Sequence, residues 1–250
     1  MELRQCILTK NDCYKAGRKI TPKGIVVHST GANNPNLKRY VQPDDGELGV
    51  NTNNNDWNVS GLNVCVHAFI GKKKNGKVCT YQTLPWNHRC WGCASGKNGS
   101  YNNTHIQFEV CQSSNTDAAY YKAAIKEAKE LCAYLCKKYN LPVSSIVSHA
   151  EAYKKGYGSN HSDIDSYMKN FGDTMDKFRS DVQKLINGQK EGDSMSELEI
   201  KKLPIIVDGK QYTIDGVFVG GLNFVSVRQL ASLLGCEVSS KGSTPVLTKK

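Results

Sequence analysis

All six histidines of the 250-residue chain, His28, His67, His88, His105, His149 and His161, precede residue 162. A single histidine is ordinarily a hydrogen-bonded core or surface residue, but several on strand ends suggest a metal centre. The decisive stretch is SHAEAYKKGYGSNHSDIDSY (148 to 167), with a histidine ending a strand, a glycine-bearing loop, then His161-Ser162-Asp163. A loop of that length folds back, so His149 and Asp163 reach one cation together with His28 from another strand. Two neutral imidazoles and a carboxylate, with a fourth position open to water, form a catalytic zinc arrangement. Sulfur offers a competing site. Cys90-x-x-Cys93 is the one CxxC in the chain, and Cys132 and Cys136 would complete four ligands if the fold gathered them. Buried free thiols are the simpler expectation for the ten cysteines.

The elements that must position these groups are legible in the hydrophobic pattern. GIVVHST (24 to 30) reads as a buried strand delivering His28 to its exposed end. Residues 51 to 60, rich in Asn, read as a loop. VCVHAFIG (64 to 71) and KVCTYQTL (77 to 84) form a hairpin around Lys74-Asn75-Gly76. In THIQFEVCQ (104 to 112), alternation puts Ile106, Phe108 and Val110 on a core face and His105, Gln107, Glu109 and Cys111 on a cleft or solvent face. Apolar steps of four and three predict a helix over 117 to 139, stopped before Pro142. A short strand (144 to 149) then presents His149, and a last helix runs from about Asn170 to Leu185. The expectation for 1 to 187 is an α/β domain with a mixed central β-sheet flanked by helices. Residues 188 to 197 make a polar linker. Residues 198 to 250 form a small α+β domain, with strands joined at Asp208-Gly209, Asp215-Gly216 and Gly220-Gly221 and a helix VRQLASLLG ending at Gly235. A unit this small leans on a partner.

The formal charge of +10 predicts attraction to a polyanion: nucleic acid, membrane or an anionic cell-wall polymer. No paired CxxC with finger spacing, Arg-rich helix or aromatic-basic sheet signature supports nucleic acid. No apolar run of 18 residues supports membrane insertion. MELRQCILTKNDCYK lacks the marks of a secretory signal, so synthesis in the cytoplasm is expected. Lys outnumbers Arg 27 to 6 and Asn is plentiful, a bias expected of an AT-rich genome.

Taken in order and spacing, four blocks resemble the type 2 N-acetylmuramoyl-L-alanine amidases, whose zinc amidase fold is shared with the peptidoglycan recognition proteins. The resemblance covers about residues 22 to 185. IVVHST looks like the first ligand strand and implies His28 as a zinc ligand. NVCVHAFIG resembles the strand whose histidine lines the substrate groove, here His67. NNTHIQFEVCQ is similar to the strand of the general base, here Glu109. SHAEAYKKGYGSNHSDID resembles the block that supplies His149 and Asp163 as further ligands. Relatives often carry Lys two residues before the last ligand, to stabilise the oxyanion; His161 stands there. Between Trp86 and Gly96 the family usually shows Trp-His-Ala-Gly, whereas this chain has Arg89-Cys90-Trp91-Gly92-Cys93, so Trp91 is carried over as a substrate contact on a wall that differs.

The implied function is hydrolysis of the amide bond between N-acetylmuramic acid and L-alanine of peptidoglycan, with zinc as cofactor and the wall polymer as partner. The absence of a signal then suggests a phage endolysin of a clostridium-like host, acting on the wall after release. The alternatives are a bacterial autolysin, a zinc protease or deacetylase of another fold, and a non-catalytic peptidoglycan-binding module, against which the third ligand Asp163 argues. The second domain is similar to the small domain shared by copper amine oxidase N-termini and clostridial surface proteins. It carries no copper ligand set, which implies a scaffold for wall binding or self-association. Met195 follows Glu191-Gly192-Asp193, whose codons can encode a ribosome-binding sequence, so an internal start producing the second domain alone is a further expectation.

Overall fold

The computed structural model describes residues 1–188, 201–219, 222–241 and 244–249. The chain divides into two compact units, Met1–Gly188 and Gln189–Lys250. The expected linker beyond Gly188, Met195 within it and the Gly220-Gly221 turn lie outside the described residues.

In the first unit, β1 (Leu3–Gln5) and the short α1 (Asp12–Lys15) precede β2 (Gly24–Ser29), the hairpin strands β3 (Ala68–Lys72) and β4 (Val78–Gln82), and β5 (His105–Val110). The long α2 (Ala118–Tyr139) is followed by β6 (Ile146–Ser148), α3 (His149–Lys154), α4 (Asp163–Lys169) and α5 (Met175–Ile186). The strands form one mixed sheet in the order β1-β4-β3-β5-β2-β6. Only β3 and β4 pair antiparallel, and Gly76 at φ +81° sits in their expected turn. β2 lies between β5 and β6, parallel to both, and all six of its residues are buried. Its unbroken apolar run follows from that position, because a central parallel strand is covered on both faces.

The alternation expected of β5 holds. Ile106, Phe108 and Val110 join Ile25, Val27 and Ile70 under Ile125, Ala128, Leu131 and Leu135 of α2 and Phe178 of α5. α2 starts where Asp117 accepts a hydrogen bond from the Tyr120 N–H, and ends at Asn140, whose φ of +51° closes the helix ahead of Pro142.

Three expectations are corrected. The stretch between His149 and Asp163 opens with α3, started by a capping box of Ser148 and Glu151; His149 is its first residue, and Asp163 is the first residue of α4. The last helix begins five residues late, at Met175 capped by Thr174, because Gly172 turns the chain at φ +72°. In the second unit, β7 (Lys201–Val207), β8 (Lys210–Val219) and β9 (Leu222–Val225) form an antiparallel sheet in that order, followed by α6 (Val227–Leu233) and a hairpin of β10 (Cys236–Lys241) and β11 (Thr244–Lys249). Asp208-Gly209 makes the expected two-residue turn, both residues at positive φ. Asp215-Gly216, however, runs straight through β8. Gly216 is there for space: a Cβ would meet Leu203 Cδ1 and the Phe224 carbonyl, each at 2.6 Å. The competing sulfur site does not assemble, and the simpler reading of the cysteines holds. Cys132 and Cys136 pack in the α2 core, Cys90 packs with Cys65 and Leu84, and all ten cysteines are free.

Two histidines are built into the interior. His105 stacks on Tyr101 at 3.8 Å, and its Nε2 would lie 2.4 Å from a Cβ at position 24, which keeps that residue glycine. Fully buried His67 accepts from the Gln107 N–H through Nδ1 (3.0 Å) and donates to the His88 carbonyl through Nε2 (2.8 Å). Burial holds both rings at a pKa of about 4. Between about pH 6.5 and 4 the unfolded chain takes these protons and the folded chain does not, so their contribution is complete above pH 6.5 and lost as the pH falls. Unfolding free energy should therefore drop by about 3 kcal/mol per histidine from pH 7 to 4. All three tryptophans lie in the first unit, so denaturant titrations read by their fluorescence measure it. His105→Gln should remove one histidine's share of that slope; an unaltered slope would contradict this account.

Candidate functional site

His28 is the penultimate residue of β2, His149 opens α3 directly after β6, and Asp163 opens α4. Since β2 and β6 are parallel neighbours, both histidines emerge at the C-terminal ends of the strands. His28 Nδ1 and His149 Nδ1 each lie 2.9 Å from the same atom, Asp163 Oδ2. The rings meet edge to face, 4.8 Å between centroids. Among the described residues this is the one trio of His, Cys, Asp or Glu whose ligand atoms converge this way. Burial pushes the Asp163 carboxyl up, but positive charge shared with the His149 and His28 Nδ1 atoms that face it outweighs burial, and the group lies well below the ordinary carboxylate range.

The donor set fits a cation. His28 Nε2 is 2.9 Å from Gln107 Oε1, an acceptor, so Nε2 carries the ring proton of the neutral imidazole. Nδ1 then presents a lone pair to the carboxylate oxygen 2.9 Å away. Two acceptors at that distance are held together only by positive charge between them, a proton or a metal ion. Nitrogen, nitrogen and carboxylate oxygen suit zinc.

Glu109 is placed by register, since it pairs with His28 across β5 and β2. Its Oε2 is buried with no hydrogen-bond partner. Burial, reinforced by the charge of Asp163, raises this carboxyl well above its ordinary value. A carboxyl shifted in this direction takes up a proton more readily than an exposed one, which suits it to general acid–base work. A cavity of about 430 Å³ opens over these residues, with Trp57 and Trp91 on its wall and His161 at its rim. The His161 ring is 62% exposed, stacks on His149 at 5.0 Å, and holds Nδ1 3.9 Å from Asp163 Oδ1. Trp91 carries the Arg89 guanidinium 4.9 Å over its ring and also borders a neighbouring cavity of about 340 Å³ lined by Arg18 and Arg89.

Of the expected site residues, His28, His149, Asp163, Glu109, His161 and Trp91 come together here. His67 does not: it lies behind the cleft, stacked on Trp86, with both ring nitrogens bonded to backbone. Its expected contact with substrate is corrected to a framework role, because no polar atom of the ring is left to face a ligand. Gln107 and Ser159, which bond the outer nitrogens of His28 and His149, were missing from the sequence reading. Alternation along β5 already set Gln107 on the face of Glu109, and that was the signal available.

A family model described as N-acetylmuramoyl-L-alanine amidase matches residues 17–165, an interval that holds His28, Glu109, His149 and Asp163. The N-acetylmuramoyl-L-alanine amidase CwlA of a Bacillus species is 34% identical over 70 residues, which span 28% of this chain and 28% of that protein. Among solved structures, PlyL is similar at a TM-score of 0.52 and 23% identity, over 73% of this chain and 97% of its own. The PlyG catalytic domain gives 0.51 and 23%, over 75% and 95%. The Staphylococcus aureus hydrolase AmiA, solved with its ligand, gives 0.51 and 17%, over 74% and 83%. At these identities the structures speak to the fold alone. The family match reaches from before β2 to the start of α4, and since it spans more than half of the sequence, the chain belongs to the N-acetylmuramoyl-L-alanine amidase family.

Proposed function

We propose that the first unit is a zinc-dependent hydrolase that cuts the amide bond between the lactyl group of N-acetylmuramic acid and L-alanine of the peptidoglycan stem peptide. The observation that carries this reading is the convergence of His28, His149 and Asp163 beside the unpartnered Oε2 of Glu109. Zinc held by those three residues would supply Lewis acidity toward water and an amide carbonyl. Glu109 accepts the proton of the attacking water and delivers it to the departing amine nitrogen, a transfer favoured by its raised pKa. His161, exposed at the rim, offers an N–H to the carbonyl oxygen as negative charge develops there. The aromatic walls at Trp57 and Trp91 give the sugar–peptide junction an apolar surface to lie against. The +10 charge draws the protein to an anionic wall. Host-cell lysis by a phage is the biological setting we infer, with the second unit as a wall-binding or self-associating module.

Digestion of purified wall should release new alanine amino groups without new reducing ends; new reducing ends alone would mean a glycosidase. Metal analysis should find one zinc per chain, lost together with activity in His149→Ala, and a full equivalent retained there would overturn the ligand assignment. Glu109→Ala should keep its zinc and slow hydrolysis by about 10²-fold or more. His161→Ala should cost on the order of 10²-fold in turnover, and His161→Lys should recover much of it. A His161→Lys protein that holds zinc but is inactive would show that the imidazole itself is needed.

A further inference from the structure

The outer face of His28 is held by a chain of amides whose direction is fixed at its far end. Asn102, fully buried, accepts the backbone N–H of Gly92 (3.0 Å) and of Cys93 (3.2 Å) on Oδ1, while its Nδ2 donates to the Ala94 carbonyl (2.7 Å). A backbone N–H only donates, so the atom facing it is the oxygen. Gln107, equally buried, points its amide at that same oxygen, 2.8 Å away, and must present Nε2 to it. Its Oε1 is thereby turned to His28 Nε2 at 2.9 Å. Each link admits one polarity. Nε2 therefore carries a proton, and Nδ1, the atom facing Asp163, is the one left for a cation.

A second observation concerns the space this chain occupies. A Cβ at position 92 would lie 2.5 Å from Gln107 Oε1. Gly92 has no positive φ, so volume and not backbone conformation demands glycine there.

We propose that Asn102 and Gln107 are positioning residues that hold His28 in the one tautomer and orientation able to bind metal through Nδ1, with Gly92 keeping their path clear. The proposal rests on reading His28, His149 and Asp163 as zinc ligands. Without the relay, the neutral ring is free to move its proton to Nδ1 and donate to Asp163, a form that cannot take a metal on that atom. Residues that orient a ligand in this way are typically worth 10–100-fold in metal affinity.

The test uses the full chain with zinc alone, measuring zinc affinity by chelator competition and the His28 tautomer by nitrogen-15 NMR of the metal-free protein at fixed pH. The native protein should show Nε2–H and bind one zinc. Gln107→Leu should bind zinc about 10–100-fold more weakly and shift His28 toward the Nδ1–H form. If Gln107→Leu fails to fold, Gly92→Ala, which removes no polar group, carries the same expectation. Native zinc affinity and an unchanged tautomer in whichever of these folds would overturn the relay and leave the ligand assignment standing. A native protein that binds no zinc would instead overturn the ligand assignment itself.

Discussion

Parallel pairing of β2 with β5 on one side and β6 on the other is the constraint on which the cleft depends. It sets Val27 level with Phe108 and Ser148, and His28 level with Glu109, so that groups about 40 and 80 residues away in sequence from one another emerge together at the C-terminal ends of the strands. A slip of one residue in β5 would turn Glu109 into the apolar layer beneath α2 and bring Phe108 or Val110 into the cleft. The packing of Ile106, Phe108 and Val110 against α2 forbids that slip. Core burial and placement of the reactive carboxylate are therefore one arrangement seen from two faces of the same strand.

Electrostatics then acts on what the register supplies. Two carboxylates, Glu109 and Asp163, share the cleft, and the surroundings drive them apart. Asp163 has two imidazoles and stays ionised; Glu109 has an unpartnered oxygen and a negative neighbour, and holds its proton more readily. Pairs separated in this way divide the tasks of binding and proton transfer.

Much of this was legible in the sequence, for physical reasons that can be named. A six-residue buried strand and a 22-residue amphipathic helix impose their periods strongly, so β2, β5 and α2 were read near their true limits. The helices around His149 and Asp163 are short, six and seven residues, and bury few side chains each, too few to impose a period. Their one local signal was the Ser148-x-x-Glu151 spacing of a capping box. His67 misled because a histidine beside a strand has the same spelling whether it faces a cleft or, as here, satisfies its neighbours' backbone. Asp215-Gly216 misled because the dipeptide is a turn signal, whereas pairing on both sides of β8 needs a residue with no Cβ at that point. Gln107 was correctly faced but not recognised, since its meaning lies in Asn102, which belongs to a different element.

Most of the cysteines are kept from redox chemistry by burial. Seven of the ten sulfurs are buried, and in Cys90, Cys111 and Cys132 burial pushes the thiol far above its usual pKa. They serve as small apolar fillers that stay protonated, and a protonated thiol is neither a nucleophile nor a partner for oxidation. The fold of the first unit thus owes nothing to cross-links. It can form in a reducing compartment, before any exposure to oxidants, and keep its packing after the surroundings change.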